Sequence, residues 1–180
     1  MIGTSAIFLD RDGTIIVDKQ YLSDPAGVEL ERGAVTGLKA LANMGYALVV
    51  VSNQSGIARG RFTTQDAIAV NARVAELLAE EGITILDWYF CPHVAEDDCT
   101  CRKPRPGMID RAAHEHGLDP SHSFVVGDKL SDLELADAVG ATGFLVETGE
   151  GAEHASWAKQ HGYDVCRDLA DFAQSFKVTR

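Results

Sequence analysis

Short unbroken apolar runs alternate along the chain with longer segments whose apolar residues recur every three or four positions. The short runs are AIFLD (6–10), YALVVVSN (46–53), DWYFC (87–91), SFVVGD (123–128) and TGFLVE (142–147). They are rich in β-branched and aromatic residues and predict buried strands. Strands without polar alternation suit a parallel sheet covered on both faces. Helices are predicted over 34–44 and 64–81, closed by Gly45 and Gly82, because glycine readily takes the left-handed conformation past a helix end. A third runs over 106–116, with Pro106 in its first turn and Gly117 at its end. Ser131 and Glu134 have capping-box spacing for a fourth, and a short final helix is expected at about 168–176. Strand and helix in alternation predict an α/β fold with a doubly wound, mainly parallel sheet. One domain over 1–180 is expected, with no segment large enough for a separate cap domain.

Composition narrows the class. The chain has 180 residues, 46% of them hydrophobic, and a net charge of −11. That balance is globular, and it argues against a broad nucleic-acid surface, which needs a basic field. No apolar run reaches the roughly 18 residues of a membrane span. The start, MIGTSAIFLDRDG, has no basic leader segment, so no secretory signal is expected and the cytoplasm is the expected compartment. A monomer is expected from the size and the lack of an exposed apolar stripe. In the cytoplasm, clustered cysteines more often bind metal than pair as disulfides.

In doubly wound sheets ligands sit at the carboxyl ends of strands, and polar residues gather there. The first strand ends in Asp10-Arg11-Asp12-Gly13-Thr14, the second in Ser52-Asn53-Gln54-Ser55, and the fourth in Gly127-Asp128-Lys129. Each alone reads equally well as an ordinary turn. Together they bring acid, hydroxyl and acid to one edge, with Asp10, Asp12 and Asp128 as candidate ligands of a hard cation. A calcium loop does not fit, because Asp18 is badly placed for one.

The segment CPHVAEDDCTCRKPRPG (91–107) holds a second constellation. Cys91, His93, Cys99 and Cys101 are the ligand complement of a closed, tetrahedral, structural zinc site. No pair has the C-x-x-C spacing of redox centres, and four protein ligands leave no open position for catalysis. A metal loop over 91–105 would fix the two cations that follow Cys101, Arg102 and Lys103.

Asp-x-Asp-Gly-Thr, then strand-Ser-Asn, then Lys103, then strand-Gly-Asp, resembles the haloacid dehalogenase superfamily of phosphohydrolases in motif order across residues 6–132. The resemblance implies Mg²⁺ held by Asp10, the Asp12 carbonyl and Asp128. It implies Asp10 as nucleophile, Asp12 as proton donor and then acceptor, and Ser52 and Lys103 on the phosphoryl oxygens. Arg11 is expected to turn away from the acids into a structural salt bridge. Within the superfamily, NQSGIARG (53–60) and CRKPRPGM (101–108) resemble the heptose bisphosphate phosphatase branch. The five-residue spacer VAEDD also suits the related histidinol-phosphate phosphatases. The resemblance carries substrate contact onto Asp18, Lys19, Gln20, Tyr21, Asn53, Gln54, Ser55, Arg102 and Lys129, with Arg102 on a second phosphate. Arg59, Arg61 and Arg105 are expected to add a local positive funnel. The implied substrate is a small anionic sugar phosphate, and the implied pathway is heptose supply for lipopolysaccharide or surface glycoproteins. Polynucleotide 3′-phosphatases share the Asp-x-Asp-Gly-Thr motif, and a zinc-dependent binding module without activity is the alternative of another class.

Overall fold

The computed structural model describes residues 3–176. Six strands form one parallel sheet: β1 (Ala6–Leu9), β2 (Ala47–Asn53), β3 (Asp87–Cys91), β4 (Phe124–Gly127), β5 (Thr142–Val146) and β6 (Asp164–Cys166), in the order β3-β2-β1-β4-β5-β6. The helices are α1 (Ala34–Asn43), α2 (Thr64–Glu80), α3 (Gly107–His116), α4 (Leu130–Val139), α5 (Gly151–Gln160) and α6 (Leu169–Ser175). Two long connections, 10–33 and 92–106, carry only a single 3-10 turn each, Pro25–Gly27 and Ala95–Asp97. Neither builds a cap domain.

The strands alternate their buried side chains between two cores. Ile7, Leu9, Leu48, Val50 and Val126 pack with α1, α2 and α6, while Ala6, Phe8, Val49, Val51 and Val125 pack with α3 and α4. This double burial is the reason these strands read as continuous apolar runs. A smaller cluster joins Leu133 and Leu145 to Ala155 and Ala158 of α5.

The predicted strands and helices all occur, within a few residues at their ends. Two elements were not anticipated: α5, and the edge strand β6, which contains the buried Cys166. The start of α4 also differs. Its N-cap is Lys129, and the side chain that accepts the cap N–H belongs to Asp132, not to the Ser131–Glu134 pair. Asp132 lies in the first turn, where a carboxylate meets free N–H groups.

The chain crosses the sheet in one direction from β1 to β2 and β3, and in the other from β4 to β6. The reversal falls between β1 and β4, which pair in parallel register. A crevice at their carboxyl ends is the position this topology leaves for a ligand.

Candidate active site

The Asp10 N–H donates to the Val126 carbonyl at 3.0 Å, which carries the β1–β4 pairing one residue past the strand. Asp10 therefore stands at the point of reversal, 5% exposed. The turn that follows closes at Gly13, with φ of 81°. A Cβ there would lie 2.2 Å from Asp128 Oδ2, so the residue must accept a positive φ and also leave room for the acid behind it.

Carboxylate oxygens of Asp10, Asp128 and Asp132 come within 4.8 Å of one another. Lys103 joins them from the loop after β3. Its Nζ lies 3.0 Å from Asp10 Oδ1 and 2.6 Å from Asp132 Oδ1, and it donates to the Val51 carbonyl at 2.9 Å. Burial disfavours its charge, but Asp10 and Asp132 outweigh burial and raise its pKa above the usual lysine value. Asp132 thus serves twice, pairing with Lys103 through Oδ1 and capping α4 through Oδ2. It was not among the expected site residues. The signal that could have found it is the rule that a buried lysine needs a buried acid.

Asp128 is wholly buried. Its Oδ2 accepts the Glu150 N–H at 2.8 Å, while Oδ1 has no hydrogen-bond partner among the described residues. Burial, and then the charge of Asp10, push its pKa up to about 7. A buried carboxylate oxygen without a donor, beside a second carboxylate, is an all-oxygen set that fits a hard dication such as Mg²⁺.

Asp12 is held differently from expectation. Arg11 makes the expected buried salt bridge, but with Asp12, so it does not turn away from both acids. Its Nε and Nη2 donate to Asp12 Oδ2 and Oδ1, both at 3.1 Å, with Nη2 also 2.9 Å from Oδ2, and Gln54 Nε2 donates to Oδ2 at 2.8 Å. Arg11 is one of the most deeply buried side chains of the chain. Gln54 also donates to Ser52 Oγ at 2.8 Å, which links the two predicted reaction partners.

A cleft of about 480 Å³ opens over these groups. Asp10, Asp12, Asp18, Gln20, Tyr21, Asn53, Gln54, Ser55, Arg102, Lys103 and Lys129 line it. Ser52 and Asp128 are buried beside it. Lys19 is the exception: its amine turns back to the Gly27 carbonyl and to Glu29, outside the cleft. Asn53 is committed to the Lys103 backbone, accepting its N–H at 3.0 Å and donating to its carbonyl at 3.2 Å. Lys129 lies 3.5 Å from Asp18, 3.7 Å from Asp128 and 3.4 Å from Glu150. Burial opposes its charge, but these acids and Asp10 outweigh it and raise its pKa. Glu150, Leu22 and Phe62 also line the cleft, and none carries a sequence signal beyond its position after a strand or before a helix. Of the three arginines expected to form a funnel, Arg61 lies over the Tyr21 ring and Arg105 pairs with Asp98.

Cys91, His93, Cys99 and Cys101 converge in the loop after β3. Their sulfurs lie 3.0 to 3.6 Å apart, with His93 Nδ1 3.5 Å from Cys91 Sγ and 3.4 Å from Cys101 Sγ. Tetrahedral zinc–thiolate geometry, with bonds of about 2.3 Å, requires sulfur–sulfur edges of about 3.8 Å, close to the two 3.6 Å separations and longer than the 3.0 Å between Cys91 and Cys101. Burial raises the Cys99 thiol, but the Arg102 N–H and the neighbouring thiols outweigh it and bring it down to about 7. Three thiols and one imidazole within a single sphere could hold a soft dication. Arg102 donates from this loop to the His93 carbonyl at 3.1 Å.

A family model described as HAD-hydrolase-like matches residues 100–172. The D-glycero-beta-D-manno-heptose-1,7-bisphosphate 7-phosphatase of Yersinia pestis is 40% identical, covering 96% of this chain and 95% of its own. The chain belongs to that phosphatase family. The enzyme of the same name from Escherichia coli K12 is 39% identical, covering 96% of this chain and 93% of its own. A D,D-heptose 1.7-bisphosphate phosphatase from B. bronchiseptica, solved with magnesium and phosphate, superposes with a TM-score of 0.90. It is 32% identical and covers 98% of this chain and 100% of that one. Family membership makes the chain a HAD-type phosphatase and removes the non-enzymatic reading. Among the described residues, no helix is long and apolar enough to cross a membrane.

Proposed function

We propose that the chain removes the 7-phosphate of D-glycero-β-D-manno-heptose 1,7-bisphosphate as a single cytoplasmic unit. The observation that carries the reading is the meeting of Asp10, Lys103 and Asp128 at the sheet's point of reversal, in a chain whose relatives bear that enzyme's name. The name of those relatives supports the β anomer.

Asp10 attacks phosphorus, forming an O–P bond as the bond from phosphorus to the sugar oxygen breaks. The departing electron pair stays on that oxygen, which takes a proton from Asp12. A water then attacks the aspartyl-phosphate, giving its proton to Asp12, and phosphate leaves with Asp10 restored. Lys103, whose amine already reaches Asp10, and Ser52 would supply donors to the phosphoryl oxygens. Mg²⁺ would be held by Asp10, Asp128 and the Asp12 carbonyl, and would supply charge neutralisation to the carboxylates and the transferring group. Arg102 takes the second phosphate in a bidentate grip, while Gln20, Tyr21, Ser55 and Lys129 border the sugar. Zinc would be held by Cys91, His93, Cys99 and Cys101 in a structural role.

The test compares kcat/KM for the two heptose bisphosphate anomers and for histidinol phosphate. A preference of about 100-fold for the β anomer over both, about 2.7 kcal/mol in transition-state binding, is expected. A preference for histidinol phosphate would overturn the substrate assignment and leave the residue roles intact.

A further inference from the structure

Burying an arginine costs several kcal/mol unless every part of the guanidinium is used, and Arg11 is 1% exposed. Its fork is spent on two partners. Nε and Nη2 grip the two oxygens of Asp12, and Nη1 donates to Asn71 Oδ1 at 2.8 Å. Asn71 is itself buried, on α2. A bidentate fork fixes the plane of a carboxylate as well as its distance. Gln54 completes the grip from the end of β2. A carboxylate offers roughly four lone-pair sites. Oδ2 meets Nε, Gln54 Nε2 and, at 2.9 Å, Nη2, while Oδ1 meets only Nη2 at 3.1 Å, so Oδ1 is the less engaged oxygen and the one left to carry a proton.

We propose that Arg11, braced by Asn71, is a positioning residue that presents one oxygen of Asp12 to the leaving group. The inference rests on Asp12 being the proton donor. All three nitrogens of Arg11 are engaged, with Asp12 and Asn71, so its assigned role is to hold Asp12 and not to bind phosphate. Its contribution is orientation: a general acid accelerates only when its proton meets the departing oxygen.

A brace that acts through Asp12 matters only when the leaving group needs a proton. Sugar alkoxide needs one; 4-nitrophenolate departs without it. The experiment therefore compares Arg11→Lys, Asn71→Leu and Asp12→Asn on the heptose bisphosphate and on 4-nitrophenyl phosphate. The quantity read is kcat/KM, which reports the step that breaks the ester bond. Lysine keeps the charge of Arg11 but cannot grip two oxygens. Arg11→Lys and Asn71→Leu are expected to lose about 10- to 100-fold on the sugar phosphate, part of the general-acid contribution, and less than about 3-fold on the aryl phosphate. Adding either change to Asp12→Asn should cost nothing further on the sugar phosphate, as for residues that act as one unit. Equal losses on both substrates, with Asp12→Asn still selective, would overturn the positioning role alone. An Asp12→Asn variant that is not selective would overturn the proton-donor assignment and this inference with it. If Arg11→Lys fails to fold, Asn71→Leu decides the question by the same ratio.

Discussion

At the scale of single residues, Lys103 is a buried cation held between two buried acids. Its amine neutralises two buried carboxylates, Asp10 and Asp132. Removing it strands both, and uncompensated buried charge of this kind costs about 3–5 kcal/mol. Lys103→Met is expected to lower unfolding stability in urea by about that amount and to abolish phosphate release. Adding Asp132→Asn removes one stranded charge, so most of the stability should return while activity does not. A Lys103→Met protein as stable as the parent would mean that the three groups do not form a charge cluster in solution. The contrast between the two acids also says what a sequence can reveal. Asp10 and Asp128 are legible because each follows an apolar strand in a fold that gathers strand ends. Asp132 and Arg11 are not, because their roles depend on partners 29 and 60 residues away in the chain, Lys103 and Asn71. Gly127 belongs with them: a Cβ there would lie 2.0 Å from Asp132 Oδ2, a requirement visible only once α4 is docked on β4.

At the scale of elements, strands β1, β2, β4 and β5 are legible because they are buried on both faces and polar residues fall only at their ends. The edge strand β3 is legible from its aromatic run although only Tyr89 and Cys91 are buried. The edge strand β6 has three residues, with an exposed Asp164 at its start, too short for any periodicity. Helix α5 escaped for another reason. It buries only Gly151, Ala155 and Ala158, and small side chains at a helix's contact face give little apolar signal. Away from the site, β3 and α3 are locked by a polar cluster. Tyr89 donates to Glu115 at 2.6 Å and lies 3.0 Å from Asp87, while His116 Nε2 lies 2.8 Å from Asp87 Oδ2. Burial would raise the Asp87 carboxyl, but hydrogen bonds from His116, the Trp88 N–H and Tyr89 outweigh it and hold it below its usual value. A carboxyl with a depressed folded pKa contributes stability above its unfolded pKa of about 4 and loses it as pH falls through the folded value. The melting temperature of Asp87→Asn should therefore lie below that of the parent at pH 7, and the gap should close in melts taken below about pH 4. A gap that stays constant across this range would show that the lock owes nothing to the charge of Asp87.

At the scale of the whole molecule, the metal loop and the sheet are separate devices that meet at Arg102 and Lys103. The sheet's two cores contain almost none of the loop; only Cys91, Cys99 and Cys101 touch the face shared by α3 and α4. Lys103 is secured twice without the loop's metal ligands, through Asn53 on its backbone and the acids on its amine. Arg102 is secured within the loop itself: its side chain donates to the carbonyl of His93, one of the four ligands, its N–H reaches Cys99, another, and its carbonyl accepts from the Arg105 N–H. Metal removal should then act unevenly. The helical content and the binding of Mg²⁺ should persist after a zinc-selective chelator, because the sheet and the Asp10–Asp128 pair do not depend on the loop. The position of Arg102 should loosen, and with it the hold on the second phosphate. The expected outcome is a rise in KM of about 10-fold or more for the heptose bisphosphate, the scale of a lost charge-assisted hydrogen bond worth about 1.5–3 kcal/mol, with kcat changed far less. For a monophosphate substrate, which offers Arg102 nothing to hold, KM should stay nearly constant. Circular dichroism and steady-state kinetics before and after chelation, with zinc added back, check each part. Loss of kcat on both substrates would mean that Lys103 moves with the loop, and that the clamp made by Asn53, Asp10 and Asp132 is too weak to hold it.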